Sequence, residues 1–178
     1  MERNIDWDSS GPSGPGLVDP ATGLFERTVF LLELDREFLR SQRSGEPFTV
    51  ALLDLDGLSG PGSEAGFGGA RENLAEVGRI VRTSIRDVDL ACRCADNLLG
   101  LILLKTSAEV AHVAGERIRR AVEQRFQGTL TVSVGMTSFP VDAADREGLL
   151  ARAMEALECA RSAGRNRVHY FARPAVSS

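Results

Sequence analysis

Eight consecutive residues, Phe48-Thr49-Val50-Ala51-Leu52-Leu53-Asp54-Leu55, interrupt their apolar character only at Thr49 and Asp54. A strand alternates its side chains between two faces, so an apolar run of this length is buried on both. The sheet that holds it needs cover on each side, and the chain supplies that cover as helices. Phe25, Val29, Leu32, Leu34 and Phe38 recur at helical spacing up to about Ser41, after which Gly45 and Pro47 end the helix. Leu74, Val77, Ile80 and Val81 mark a second amphipathic helix ending near Arg86. Ser107 can cap a third, running to about Gln124 with Glu109 and Glu116 outside its apolar stripe. Asp145 caps a fourth, to about Ser162. Residues 88–95 and 98–104 read as two strands joined by Asp96-Asn97, residue types that tolerate the positive φ a two-residue hairpin demands. Residues 130–137 alternate as another strand, and 167–171 form a short last one. The order predicts an α+β fold with helices packed on a mixed sheet, since the hairpin makes at least one strand pair antiparallel.

The length of 178 residues suits one compact domain. Its predicted bounds are 17–172, with a loose tail at 173–178 and a Ser/Gly/Pro-rich leader at 1–16 that has nothing to bury. A formal net charge of −4 argues against a broad nucleic-acid surface. Neither a secretory signal nor an apolar run long enough to span a bilayer is present, so a soluble cytoplasmic protein is expected. Cys92, Cys94 and Cys159 form no even disulfide framework, and His112 and His169 are too few and too scattered to complete a zinc site. Three buried or half-buried thiols are expected, with Cys92 and Cys94 on one face of a strand. There is no G-x-S-x-G elbow for a serine hydrolase, and His112 falls on a surface helix. The glycine-rich stretch 57–69 lacks the Lys-Ser/Thr end of a phosphate loop.

Five short strings occur in a characteristic order: Asp19-Pro20-Ala21-Thr22-Gly23-Leu24, Leu52-Leu53-Asp54-Leu55-Asp56, Val132-Ser133-Val134-Gly135, Ala156-Leu157, and the run from Ala160 through Gly164-Arg165-Asn166-Arg167-Val168. Together they resemble the diguanylate cyclase (GGDEF) family over about residues 18–171. The resemblance implies a ferredoxin-like sheet related to nucleotidyl-cyclase palms. Aligning Arg93 with the arginine before the family's turn places Ala95-Asp96-Asn97-Leu98-Leu99 where G-G-D-E-F stands.

That departure bears on chemistry. The family's glycines allow close backbone approach to nucleotide, and its two acidic residues serve metal binding and catalysis. Here those two are Asn97 and Leu98, an amide and a hydrocarbon. Phosphoryl transfer of this kind depends on metal ions held largely by carboxylates. Asp54 matches the family's strand-end metal ligand but remains vestigial without its partner. No metal and no cofactor are therefore expected, and of Asp54 and Asp56 only one is expected to line a pocket. On an ungapped match from Asp54, the guanine-binding asparagine and aspartate of the family become Gly62 and Arg71, and its phosphate-contacting lysine becomes Ser59. The vestigial phosphate side keeps its charge as Arg161 and Arg165, either of which could instead brace its helix end.

Upstream of the turn, Arg86-Asp87-Val88-Asp89 resembles the family's R-x-x-D motif, which binds a cyclic di-GMP dimer. The resemblance implies that Arg86 contacts guanine or phosphate and that Asp89 accepts from the guanine edge. Arg117 falls where the following helix adds a second arginine, while Val113, one turn earlier, adds no charge. Asp89 could equally satisfy local backbone donors, with Arg86 a helix C-terminal cation. The expected function is a catalytically inactive signalling domain that binds cyclic di-GMP through Arg86, Asp89 and Arg117. The alternative is a scaffold for a protein partner that binds no nucleotide.

Overall fold

In the computed structural model of the chain, residues 16–57 and 69–171 are described. The leader before residue 16, the tail after 171, and Ser59 and Gly62 lie outside them. The elements run β1 (Phe25–Glu26), α1 (Arg27–Ser44), β2 (Phe48–Asp56), α2 (Ala70–Ser84), β3 (Leu90–Ala95), β4 (Leu98–Leu103), α3 (Ala108–Arg125), β5 (Thr131–Phe139), α4 (Arg146–Ser162) and β6 (Val168–Tyr170). Six strands form one mixed sheet in the order β1-β3-β4-β2-β5-β6. β2 is antiparallel to both β4 and β5, whereas β1 runs parallel to β3 and β6 parallel to β5. The expected α+β architecture is the observed one, extended by the two-residue β1.

The apolar run that demanded two-sided cover is β2, in the middle of the sheet. Ala51, Leu53 and Leu55 join the core beneath α2 and α3, with Val77, Val81, Ile118 and Val122. Val50 and Leu52 join the opposite core beneath α1 and α4, with Phe30, Leu34, Leu149 and Leu157. The second core approaches the sheet closely at Gly135, where a Cβ would run into the Ala153 carbonyl and the Leu157 amide of α4.

Several local expectations change. The buried stripe of α1 is Phe30, Leu34, Glu37 and Ser41, while Leu32 is exposed and Phe25 belongs to β1. Apolar residues on both sides of a partly amphipathic helix left its phase ambiguous, and a buried glutamate misleads any apolar count. Burial pushes the Glu37 carboxyl up, with Arg40 opposing that shift from 3.2 Å. Gly45 ends α1 in the left-handed conformation at φ 72°, its N–H donating to the Ser41 carbonyl. Ser107 stands at the N-cap of α3, yet its hydroxyl donates to Glu109 and caps nothing. Asp145 does cap α4, accepting from the Gly148 amide at 2.7 Å. The β3–β4 hairpin forms without positive φ at Asp96 or Asn97. A register shift between Arg93 and Ala95 supplies the extra twist instead.

Cys92 and Cys94 are buried in the α1/α4 core, and burial pushes the Cys94 thiol up to about 12. Cys159 is exposed, contrary to expectation, because it lies on the outer face of α4.

Candidate functional site

β2 ends in Asp54-Leu55-Asp56, and strand residues two apart share a face. Both carboxylates therefore point to the α4 side and line one pocket, together with Asp96, Leu98, Arg161 and Arg165. This corrects the expectation that only one of the pair lines a pocket.

The two acids have different surroundings. Asp56 is 7% exposed and accepts from Thr131 Oγ1 at 3.0 Å, Ser133 Oγ at 3.0 Å and the Asn166 amide at 3.2 Å. Arg165 Nε lies 3.7 Å from it. Buried carboxylates need such partners, and here they make Asp56 a structural anchor. Asp54 is less enclosed, and Arg161 Nε stands 3.4 Å from its Oδ2. Directly across from Asp54 in the ladder is Leu98, 4% exposed and packed with Phe30 and Leu34. The position that shares Asp54's face on the neighbouring strand thus carries hydrocarbon. Asn97 ties the turn to β2 by accepting from the Leu55 amide with its backbone carbonyl at 2.9 Å.

The far wall of the pocket is a loop in an uncommon conformation. Arg165 and Asn166 both take left-handed φ, at 60° and 47°. Asn166 is held there by three bonds. Its amide donates to Asp56, its Nδ2 donates to Glu123 Oε1 at 2.6 Å, and its Oδ1 accepts from Arg119 Nη1 at 3.0 Å. The bonds from Asn166 and Arg119 hold the Glu123 carboxyl below its ordinary value. Sequence reasoning named Arg165 but missed Asn166, Arg119 and Ser133. Only the close match of the Gly164-Arg165-Asn166 string hinted that this loop is specified.

The opening motif also reaches this region. Asp19 accepts from the Thr22 amide and hydroxyl at 2.7 and 2.6 Å and from Arg93 Nη1 at 3.1 Å. Arg93 in turn donates to the Asp96 carbonyl at 3.0 Å, so the first loop braces the hairpin turn. Burial raises the Asp19 carboxyl, but the Thr22 and Arg93 bonds outweigh it and leave it below its usual value. Arg71 is exposed on the first turn of α2.

A divalent cation fits this donor set poorly. Asp54 is paired with a guanidinium, Asp56 is occupied by hydrogen-bond donors, and position 97 offers an amide. Among the described residues, no group of three His, Cys, Asp or Glu side chains is placed to hold a metal ion.

The second surface lies between α2 and α3. Arg86, Asp89 and Arg117 are brought together there, and all are engaged within the chain. Asp89, with a side chain 3% exposed, accepts from the Arg86 amide at 3.0 Å, Arg86 Nε at 3.0 Å, Arg86 Nη2 at 2.9 Å and the Leu104 amide at 3.0 Å. Arg86 Nη2 also donates to the Leu104 carbonyl and to Thr106 Oγ1, each at 2.7 Å. The Asp89 bond is the main reason that the Arg86 guanidinium is shifted further up. Arg117 donates through Nε and Nη2 to the Ser84 carbonyl at the end of α2. Arg86 nevertheless keeps a side chain 54% exposed, and Val88 and Val113 are exposed as well. Asp89 thus serves one adjacent backbone donor, the Arg86 amide, and one distant donor, the Leu104 amide, besides the Arg86 guanidinium.

The pocket, the braced hairpin turn and the two-helix surface bring the five strings of the sequence into one structure. The model of the diguanylate cyclase GGDEF domain matches residues 17–167. The chain belongs to the GGDEF family. Diguanylate cyclase DgcP of Pseudomonas aeruginosa is 30% identical over 158 residues, covering 85% of this chain and 23% of that protein. This chain thus spans under a quarter of DgcP, and 35% of Diguanylate cyclase A of Treponema denticola, which is also 30% identical to it. Among solved structures, the GGDEF domain of DgcB from Caulobacter crescentus, in complex with c-di-GMP, superposes with a TM-score of 0.81 at 24% identity. That match covers 93% of this chain and 98% of the other. Diguanylate cyclase SiaD in complex with its activator SiaC, from Pseudomonas aeruginosa, gives 0.77 at 30% identity, covering 87% and 62%. Among the described residues of this chain, no helix is long and apolar enough to cross a membrane.

Proposed function

We propose that this GGDEF domain is catalytically inactive and serves cytoplasmic cyclic di-GMP signalling by binding. The observation that carries the reading is the surroundings of Asp54: its cross-strand neighbour is the buried Leu98 and its ionic partner is Arg161. Neither can hold a metal ion or take a proton from a 3′-hydroxyl. Incubation with GTP and magnesium, followed by chromatography of the nucleotides, tests it. No cyclic di-GMP is expected, and steady accumulation of that product would overturn the reading.

The binding role falls to the Arg86 surface. Arg86 and Arg117 supply a guanidinium pair suited to guanine O6 and N7 or to phosphate. Asp89 braces Arg86 and does not reach the ligand, since its oxygens already accept four bonds within the chain. The exposed Val88 and Val113 favour the second reading, a protein partner on the same surface. Calorimetric titration with cyclic di-GMP separates the two. Binding that is lost in R86A and R117A supports the receptor, whereas absence of heat with the unaltered chain at high micromolar ligand leaves the protein scaffold.

A further inference from the structure

We propose that Arg161 is a resident cation of the pocket, one that keeps divalent ions away from Asp54 even where a carboxylate stands at position 97. The inference rests on reading this pocket as the remnant of the family's nucleotide site. Arg161 occupies the last turn of α4, where the helix C-terminus favours positive charge. Its Nε is shielded from solvent and lies 3.4 Å from Asp54 Oδ2, and its Nη1 lies 3.5 Å from Glu158 Oε2. The guanidinium thus stands over the strand end within ion-pair distance of two carboxylates, its buried Nε making no hydrogen bond. A divalent ion approaching Asp54 would have to displace that group or sit within a few ångströms of a like charge.

The second acid of β2 gives no help. Asp56 is committed to Thr131, Ser133 and the Asn166 amide, and releasing an oxygen would free the loop that carries Arg165. Magnesium and manganese are held by one or two carboxylates with water completing a near-octahedral set, and among the described residues no group of three acidic, His or Cys side chains gathers around Asp54. Exclusion thus has two separable causes: the amide at position 97 and the guanidinium at position 161. Restoring the carboxylate at 97 is not enough while Arg161 remains.

The test is a Mn2+ titration of the full chain, read by paramagnetic broadening of backbone amide signals around Asp54. It compares the unaltered chain, N97D, R161Q and N97D/R161Q, with R161A as the substitute where R161Q fails to fold. Site-specific broadening is expected in N97D/R161Q, at an affinity at least about tenfold above N97D, and is lost again when D54N is added. Equal affinity of N97D and N97D/R161Q, including no binding by either, overturns the inference. Its failure is distinct from failure of the inactive reading, which turns on cyclic di-GMP made from GTP by the unaltered chain.

Discussion

Replacing Asp89 with alanine removes the acceptor of four donors: the Arg86 amide, Arg86 Nε, Arg86 Nη2 and the Leu104 amide. The guanidinium belongs to a side chain 54% exposed, so water re-solvates it and the ion pair is worth at most about 1 kcal/mol. The two backbone amides bond to a charged acceptor, at about 1.5 kcal/mol each. The sum is about 4 kcal/mol, which water entering the vacated space trims to roughly 3. R86A acts differently: Asp89 keeps both backbone donors, and water replaces the bonds lost from this half-exposed guanidinium to Asp89, the Leu104 carbonyl and Thr106 Oγ1, so the loss is about 1 kcal/mol. In urea unfolding followed by circular dichroism, an m-value of about 2 kcal/mol/M places the D89A midpoint about 1.5 M below the unaltered chain. R86A falls by about 0.5 M on the same scale. A midpoint shift for D89A no larger than that for R86A would refute the assignment of Asp89 as a brace.

Gly135→Ala drives a methyl into the α4 backbone and is expected to cost roughly 3 kcal/mol in the same urea assay. Glu76, bonded to Arg79 and Arg125, has its carboxyl held down to about 2. Its folded pKa lies below the ordinary 4.5, so it stabilises the fold above that pH and the contribution is lost as the pH falls toward 2. The stability difference between E76Q and the unaltered chain, measured by thermal unfolding from pH 7 to pH 2, should therefore shrink across that interval. In the native state an alkylating reagent should modify Cys159 alone, while Cys92 and Cys94 react only after unfolding, as peptide mass mapping will reveal.

Much of the architecture was legible because its strongest signals are local. The apolar length of β2 required two covered faces, and the capping Asp145 and terminating Gly45 marked helix ends by mechanisms that act within a few residues. Legibility failed where a side chain's role depends on a distant neighbour. Nothing in Arg86-Asp87-Val88-Asp89 reveals that the Leu104 amide arrives to claim an Asp89 oxygen. Nor does the string around Asn166 announce Glu123 and Arg119 as its partners. The common face of Asp54 and Asp56 follows directly from the period of a strand, and once it is applied both acids belong to the pocket. The phase of α1 was lost for another reason, since Glu37 and Ser41 are buried beside Phe30 and carry no apolar signature.

The sheet narrows outward from β2 and β5, each nine residues long, to β1 with two residues and β6 with three. Long unpaired edges invite other chains to add strands, and very short ones offer almost no template for it. The two edge strands of the sheet thus offer little template for strand addition.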